Sequence, residues 1–480
     1  MPDALLWTLQ EIVAATGGRP EGEPAETFAG VSIDSRTVST GEIFVAIRGD
    51  RLDGHAFVAS ALESGAGLAV VDRRPEGVAG PLLVVDDTLR ALEDIGRAAR
   101  ERFRGRVVAV TGSVGKTGTK EALRLVLGRQ GAVHAAAGSH NNHWGVPLTL
   151  ARLPANAAYG VFEVGMNHAG EIAPLTRLIR PHVAIVTAIA PVHIGHFDGL
   201  DAIADAKAEI FLGLEPGGFA IVNGDGEHCD RLRAAALAAG AGRVVAFGRR
   251  SDAEARLLEL VLQPDGSTVS AEICGTRVTY RLGAPGEHLA INSLAILAAV
   301  EGLGADLALA ALALRDLRPP KGRGVRFELA IGGGSFTLVD ESYNANPASM
   351  HAALKVLGQA VPGRRGRRIA VIGDMLELGD RAPQYHAELA ASVAEAGCDL
   401  VYACGPNMTH LWDALPRHLR GSYAETSEAL LGAVKDAIGS GDVVMVKGSA
   451  GSRMGLIVDA LLDAFPRIGA GPDERSKAFG

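Results

Sequence analysis

The sequence predicts an α/β protein of three domains, and three observations carry that expectation. At 480 residues the chain is long enough for about three cores of ordinary size. Short β-branched runs alternate with helix-length segments through most of it, the pattern of strands covered by helices. Two charged stretches broken by glycine or proline, Arg102-Phe103-Arg104-Gly105-Arg106 and Arg318-Pro319-Pro320-Lys321-Gly322-Arg323-Gly324, read as linkers. They divide the chain into residues 1–103, 104–317 and 318–480.

The first segment opens with a helical pattern, Leu5 to Ala15, followed by a Gly/Pro/Glu-rich turn, Gly17 to Pro24. Strand-like runs follow at Ile43–Ile47, Leu68–Val71 and Leu82–Val85, with a short helical run at Ala56–Ser64, so a small α/β domain is expected. In the second segment Val107–Val110 is a β-branched run that reads as a buried strand. The alternation from there to about residue 317 predicts a mostly parallel sheet with helices. Leu289 to Leu314 is the most apolar stretch. Glu301, Asp306 and two glycines break it, which predicts two packed helices rather than a membrane span. In the third segment Phe336–Val339, Ile369–Ile372 and Val443–Val446 are strands separated by helical segments, a Rossmann-like arrangement. The tail Gly469–Gly480 reads as frayed.

Composition excludes several classes. With 48% hydrophobic and 21% charged residues the chain is an ordinary globular one, not a disordered one. Lys and Arg number 47 against 55 Asp and Glu, a net charge of −8, which argues against a nucleic-acid partner. Cys229, Cys274, Cys398 and Cys404 form no C-x-x-C pair, so neither a disulfide scaffold nor a zinc ribbon is expected. Glycine supplies 61 of 480 residues without a G-X-Y period, well above the usual ~7%, as tight turns and ligand loops require. Met1-Pro2-Asp3-Ala4 lacks the basic start of a secretory signal. A cytoplasmic monomer without membrane insertion is the expectation.

The clearest chemical signal is Thr111-Gly112-Ser113-Val114-Gly115-Lys116-Thr117, which follows the Val107–Val110 strand and opens a helical pattern. Glycines let backbone N–H groups turn toward phosphates, and the helix N-terminus adds positive potential. Lys116 can then reach the terminal phosphates, and the Thr117 hydroxyl can ligate Mg²⁺. The longer G-x-x-x-x-G-K-[ST] pattern is not met, because Val110 stands at its first glycine; G-x-x-G-K-T remains. A P-loop ATPase-like central domain is therefore expected.

Other candidates are weaker when read singly. Glu163 ends the strand-like run from Tyr159, where a carboxylate can meet Mg²⁺ beside a phosphate loop or simply be solvated. His193 follows a strand-like run, Val183 to Thr187, and lies near His196 and Asp198; a packing or surface histidine is the alternative. Lys207 sits in the helical stretch Ala202 to Ile210 and reads locally as a surface lysine.

Taken together, the motifs resemble those of the Mur ligases, ATP-dependent amide ligases of peptidoglycan precursor synthesis. The resemblance rests on Ser32-Ile33-Asp34-Ser35-Arg36, Gly41 to Ala46, Asp53-Gly54-His55, the loop Thr111–Thr117 and Asn141 to Pro147. It continues through Glu163 with Gly170-Glu171-Ile172, Ala206 to Phe211, Tyr343-Asn344-Ala345-Asn346-Pro347-Ala348-Ser349-Met350, Gly373 to Gly379, and Lys447-Gly448-Ser449. It covers nearly the whole chain.

The resemblance implies that the first domain binds a UDP-linked precursor, the second ATP, and the third the incoming dipeptide. Lys207 matches the family's carbamylated lysine, and Glu163 and His193 match its magnesium ligands, with Thr117 keeping its phosphate-loop role. Gly112, Ser113, Val114, Gly115 and Lys116 would hold the nucleotide with Asn292, Arg323 and Asp340. Ser35, Arg36, Asp53, Gly54 and His55 would line the UDP pocket, although Asp-Gly also forms plain turns. Asn344, Asn346 and Ser349 would lie near the dipeptide, or merely shape an Asn-Pro turn. The catalytic set would be Lys116, Lys207 and His193. Two positions depart from the family: Ser113 replaces the commoner threonine, and Ala188 the commoner asparagine.

The activity so implied joins D-alanyl-D-alanine to UDP-N-acetylmuramoyl-tripeptide, with ATP and Mg²⁺, through an acyl phosphate. Three alternatives stand beside it: a sibling ligase adding the third amino acid, a folate polyglutamate ligase, and a non-catalytic nucleotide-binding partner of cell-wall enzymes. The chain lacks the Asp-Asn-Pro-Arg tetrapeptide usual in that sibling.

Overall fold

The computed structural model describes residues 5–49, 52–136, 138, 140–191, 197–263 and 265–468. The expected tail, Gly469–Gly480, lies outside them.

Three sheets organise the chain. In the first, Arg19–Glu21, Leu82–Val84, Leu68–Val71, Ile43–Val45 and Val31–Ser32 lie side by side, parallel except for the first pair. The N-terminal helix is shorter than expected, Leu9–Thr16, because Thr8 caps it in a capping box with Glu11. The residues before it are extended instead: Trp7–Thr8 pairs with Thr27–Phe28. Gly17, in the left-handed region at φ 67°, ends the helix.

The helix Thr88–Arg102 starts at an Asp87 cap and buries Ala91, Leu92, Ile95, Gly96 and Ala99 along one stripe. It packs closely on the helix Gly145–Ala151; a β-carbon at Gly96 would stand 3.2 Å from the Pro147 carbonyl oxygen. One hydrophobic core therefore runs from Val31, Ile43 and Leu68, through this helix, to Val107, Phe162 and Ala184.

The second sheet has nine strands, ordered Thr276–Leu282, Gly266–Ile273, Ala255–Gln263, Arg243–Gly248, Phe219–Asn223, Val183–Val186, Arg106–Thr111, Tyr159–Glu163 and Val133–Ala135. Seven are parallel, from Val133–Ala135 to Ala255–Gln263. The expected alternation with helices breaks at residue 255, where three strands follow one another antiparallel. Gly266–Ile273 alternates buried and half-buried side chains, the signature of a sheet covered on one face. Its turn to the next strand is Cys274-Gly275, both at positive φ, as a two-residue hairpin requires. The apolar stretch becomes two helices, Glu287–Gly302 and Leu307–Ala313. Among the described residues no helix is long and apolar enough to cross a membrane.

The third sheet orders Val325–Ile331, Gly334–Glu341, Val443–Lys447, Arg368–Gly373, Leu400–Cys404 and Arg420–Ala424, parallel apart from the first pair. Separate cores on its two faces center on Met350, Leu354 and Leu389, and on Leu430, Ile457 and Leu461.

The strand order of the second sheet places the site. After Arg106–Thr111 the chain builds Val133–Ala135 and Tyr159–Glu163 on one side, then crosses to Val183–Val186 on the other. A crevice opens beyond the carboxyl ends of strands at such a reversal, where ligands bind in open α/β sheets.

Candidate active site

The loop Thr111–Thr117 lies at this reversal. Gly112, at φ 146°, is pressed against Thr187, and any β-carbon there would collide with its hydroxyl. Gly115 sits at φ 88°, where a β-carbon would stand 2.6 Å from Asn292 Nδ2. Both glycines are thus required by backbone conformation and close approach. The Ser113 amide donates to the Ala188 carbonyl at 2.7 Å, and its hydroxyl to the Ala190 carbonyl at 2.9 Å. Position 188 therefore serves through its backbone. Lys116 bends back so that Nζ donates to the Gly112 carbonyl at 2.7 Å. Burial pushes its pKa down, Glu163 opposes that shift, and Arg323 adds to it. Thr117 is buried on the first turn of the helix Lys116–Gly128.

Glu163, 2% exposed, ends its strand beside Val110. Oε1 accepts from Asn141 Nδ2 at 2.8 Å, while the buried Oε2 has no partner among the described residues. A buried carboxylate oxygen left unpaired is costly, and a cation satisfies it. Lys207, on the helix Leu200–Ala208, is 3% exposed, so the surface-lysine reading fails. Burial, then the charge of Lys116, holds its amine well below the ordinary lysine range. His193 lies outside the described residues, and among the described residues no group of three His, Cys, Asp or Glu side chains stands ready for a metal.

One cavity of about 730 Å³ gathers the nucleotide candidates with those of the third domain. Ser113 to Thr117, Glu163 and Asn292 form one wall; Arg323, Asn344, Asn346 and Ser349 form the other. Arg323 lies over the Tyr343 ring at 4.2 Å. Lys355 reaches across to Glu287, which also pairs with Arg249.

Asp340 does not line this cavity. It is 1% exposed, with Oδ2 accepting from the Gly322 amide at 3.0 Å and Oδ1 from the Ser342 amide and hydroxyl at 3.1 and 2.6 Å. It orders the linker that carries Arg323 instead. Asn346 caps the helix Pro347–Gln359 in a capping box with Ser349, so these two residues shape a turn as well as face the cavity.

The N-terminal candidates stand apart from this cavity. Arg36 is exposed and bound bidentately to Asp34, at 2.9 and 2.6 Å; Ser35 precedes it. Asp53 Oδ1 accepts from the His55 amide at 3.0 Å and meets its Nδ1 at 2.7 Å, while Oδ2 pairs with Arg73 at 2.6 Å. His55 is buried, and Nε2 accepts from the Asp72 amide at 3.1 Å. Both of its ring nitrogens are thereby occupied, which leaves His55 a turn-fixing residue rather than an open pocket lining. Gly54 is pressed on Ile47, where a β-carbon would stand 2.7 Å from its carbonyl oxygen.

The sequence alone assigns no role to Asn141, Glu341 or Lys447, although Asn141 and Lys447 lie in motifs that carry the family resemblance. Only the fold shows that Asn141 meets Glu163, or that Glu341 and Lys447 end paired strands.

The phosphate loop, the unpaired carboxylate oxygen and the wall supplied by a separate domain define a three-domain nucleotide-dependent α/β enzyme. Comparison with known families is specific: residues 27–100 match the Mur ligase family catalytic domain, 110–300 the Mur ligase middle domain, and 325–450 the Mur ligase glutamate ligase domain. The chain belongs to the Mur ligase family. It is 34% identical to the UDP-N-acetylmuramoyl-tripeptide–D-alanyl-D-alanine ligase of Escherichia coli, over 95% of this chain and 98% of that one. The Bacillus subtilis protein of the same name is 33% identical over the same shares, 95% and 98%. A crystal structure of MurF from Acinetobacter baumannii superposes with a TM-score of 0.84 at 31% identity, covering 96% of this chain and 100% of that one. MurF ligase from Thermotoga maritima in complex with ADP gives 0.73 at 26% identity, covering 90% and 96%.

Proposed function

We propose that this chain is an ATP-dependent ligase that joins D-alanyl-D-alanine to UDP-N-acetylmuramoyl-tripeptide. The observation that carries the reading is the single cavity in which Lys116, Thr117 and Glu163 face Arg323, Asn344, Asn346 and Ser349. The near full-length relatives that bear this name support the choice of substrates.

The tripeptide carboxylate is a poor electrophile and needs activation. It attacks the γ-phosphorus of ATP, ADP leaves, and an acyl phosphate forms. The dipeptide amine then attacks the acyl carbon and phosphate leaves. Catalysis of this kind is mostly positioning and charge neutralisation. Backbone amides of residues 114–117 would cradle the phosphates, and Lys116 would meet the transferred group. The Thr117 hydroxyl, Glu163, His193 and a carbamate on Lys207 would hold Mg²⁺, which supplies charge neutralisation at the phosphates. Carbamate formation requires a neutral amine, and burial beside the Lys116 charge shifts Lys207 toward that form. Ser35, Arg36 and Asp53 would meet the UDP end, with Gly54 and His55 holding their turn. Asn292 would stand beside the base, and Asp340 would act through the Arg323 linker.

The test is ADP release from purified protein with ATP, Mg²⁺ and the UDP-linked tripeptide, with and without D-alanyl-D-alanine. Release that requires both substrates is expected. Turnover only with a single amino acid on the dipeptide precursor would favour the sibling ligase, and no turnover the binding module.

A further inference from the structure

Three carboxylates line the cavity among the described residues: Glu163, Glu287 and Glu341. Glu163 belongs to the phosphate-loop wall. Glu287 is held between Arg249 and Lys355. Glu341 differs from both. It ends the strand Gly334–Glu341 directly opposite Lys447, the last residue of Val443–Lys447. Its Oε2 accepts from Lys447 Nζ at 3.3 Å, and the same ammonium donates to the Asn344 carbonyl at 3.0 Å. Lys447 is 2% exposed, so this ammonium is fixed from two sides inside the wall and fixes the carboxylate in turn. The side chain of Glu341 keeps 20% of its surface open.

An incoming dipeptide presents an ammonium group that must lose two protons on the way to the amide, one before the new bond forms and one as it forms. A carboxylate fixed on the wall facing the phosphate loop suits both demands: it attracts the ammonium and it accepts a proton. We propose that Glu341 receives the amine end of the incoming dipeptide and takes its surplus proton, with Lys447 as the positioning residue that holds that carboxylate in place. This rests on the ligase reading above. The ammonium first gives one proton to solvent. The amine nitrogen then bonds to the acyl carbon, and its surplus proton passes to Glu341. The C–O bond to phosphate breaks with its electron pair on phosphate.

The two halves of the reaction separate the roles. Hydroxylamine is already unprotonated at neutral pH, needs no carboxylate to seat it and, being small and solvated, passes its surplus proton to water as it traps the acyl phosphate as a hydroxamate. Glu341→Gln should lower kcat/KM for D-alanyl-D-alanine by about a hundredfold while hydroxamate formation from ATP and the tripeptide stays at the wild-type rate. Lys447→Met should repeat that pattern, and Lys447→Arg should recover part of the dipeptide rate. The near-isosteric Glu341→Gln carries the test if Lys447→Met fails to fold. Equal loss of both reactions in Glu341→Gln would overturn the proposal, and so would full retention of dipeptide ligation. Wild-type protein that forms neither hydroxamate nor ligated product would instead count against the ligase reading itself.

Discussion

Asn141 donates to one oxygen of Glu163 at 2.8 Å and leaves the other buried and unpaired among the described residues, in the wall shared with Lys116. Glu163→Gln preserves the acceptor for Asn141 and removes the charge. ADP formation should fall by about 10²–10³, the scale for losing one electrostatic partner of a transition state. The melting temperature without ligand should hold, while the rise that Mg²⁺ with ATP produces should shrink. Calorimetry with and without the nucleotide reads both.

Gly115 carries two independent constraints, its φ of 88° and the approach of Asn292. Gly115→Ala should raise the KM for ATP and destabilise the protein by about 1–2 kcal/mol, from the left-handed backbone alone. Adding Asn292→Ala should relieve the collision but not the backbone strain. Urea denaturation of the two single variants and the double variant should therefore show a coupling energy smaller than the whole effect.

Lys207 gives a pH dependence with a defined sign. Its folded-state pKa is held below the unfolded value, so the unfolded chain binds more protons between the two values. Its contribution to stability should rise with pH from the lowered folded value toward about 10.4, the ordinary lysine value. Lys207→Met should be more stable than wild type at neutral pH in CO₂-free buffer and should lose that slope. Turnover should be lost as well, and Lys207→Ala should regain some on addition of a short carboxylic acid.

Trp7 ties the first domain to the second: Nε1 donates to the Ala151 carbonyl at 2.8 Å, and the Arg102 guanidinium lies 3.6 Å from its ring. Trp7→Phe strands that carbonyl in a buried interface. A loss of about 1–3 kcal/mol is expected. Because the core runs through both domains, one cooperative transition should shift in thermal unfolding, with the KM for ATP unchanged.

Much of the architecture was legible because it is local. The strand at Val107–Val110, the glycine loop after it and the two helices within Leu289–Leu314 follow from periodicity and punctuation. The hairpin ribbon at 255–282 was missed because a half-buried antiparallel strand such as Gly266–Ile273 carries small polar residues rather than a continuous apolar run. Lys207 looked like a surface lysine because burial is set by packing against elements distant in sequence. Asp340 and His55 show the converse limit. Their residue types suit a ligand, but backbone amides at Gly322 and Asp72 already use them. The meeting of Glu341 with Lys447 joins positions 106 residues apart and has no local trace.

The most direct measurement follows oxygen. UDP-N-acetylmuramoyl-tripeptide labelled with ¹⁸O in its terminal carboxylate is turned over with ATP, Mg²⁺ and D-alanyl-D-alanine, and both products are weighed. Activation through an acyl phosphate moves one labelled oxygen into inorganic phosphate, and the UDP-linked product gains the mass of the condensed dipeptide. Unlabelled phosphate, or a precursor of unchanged mass, would contradict the ligase account.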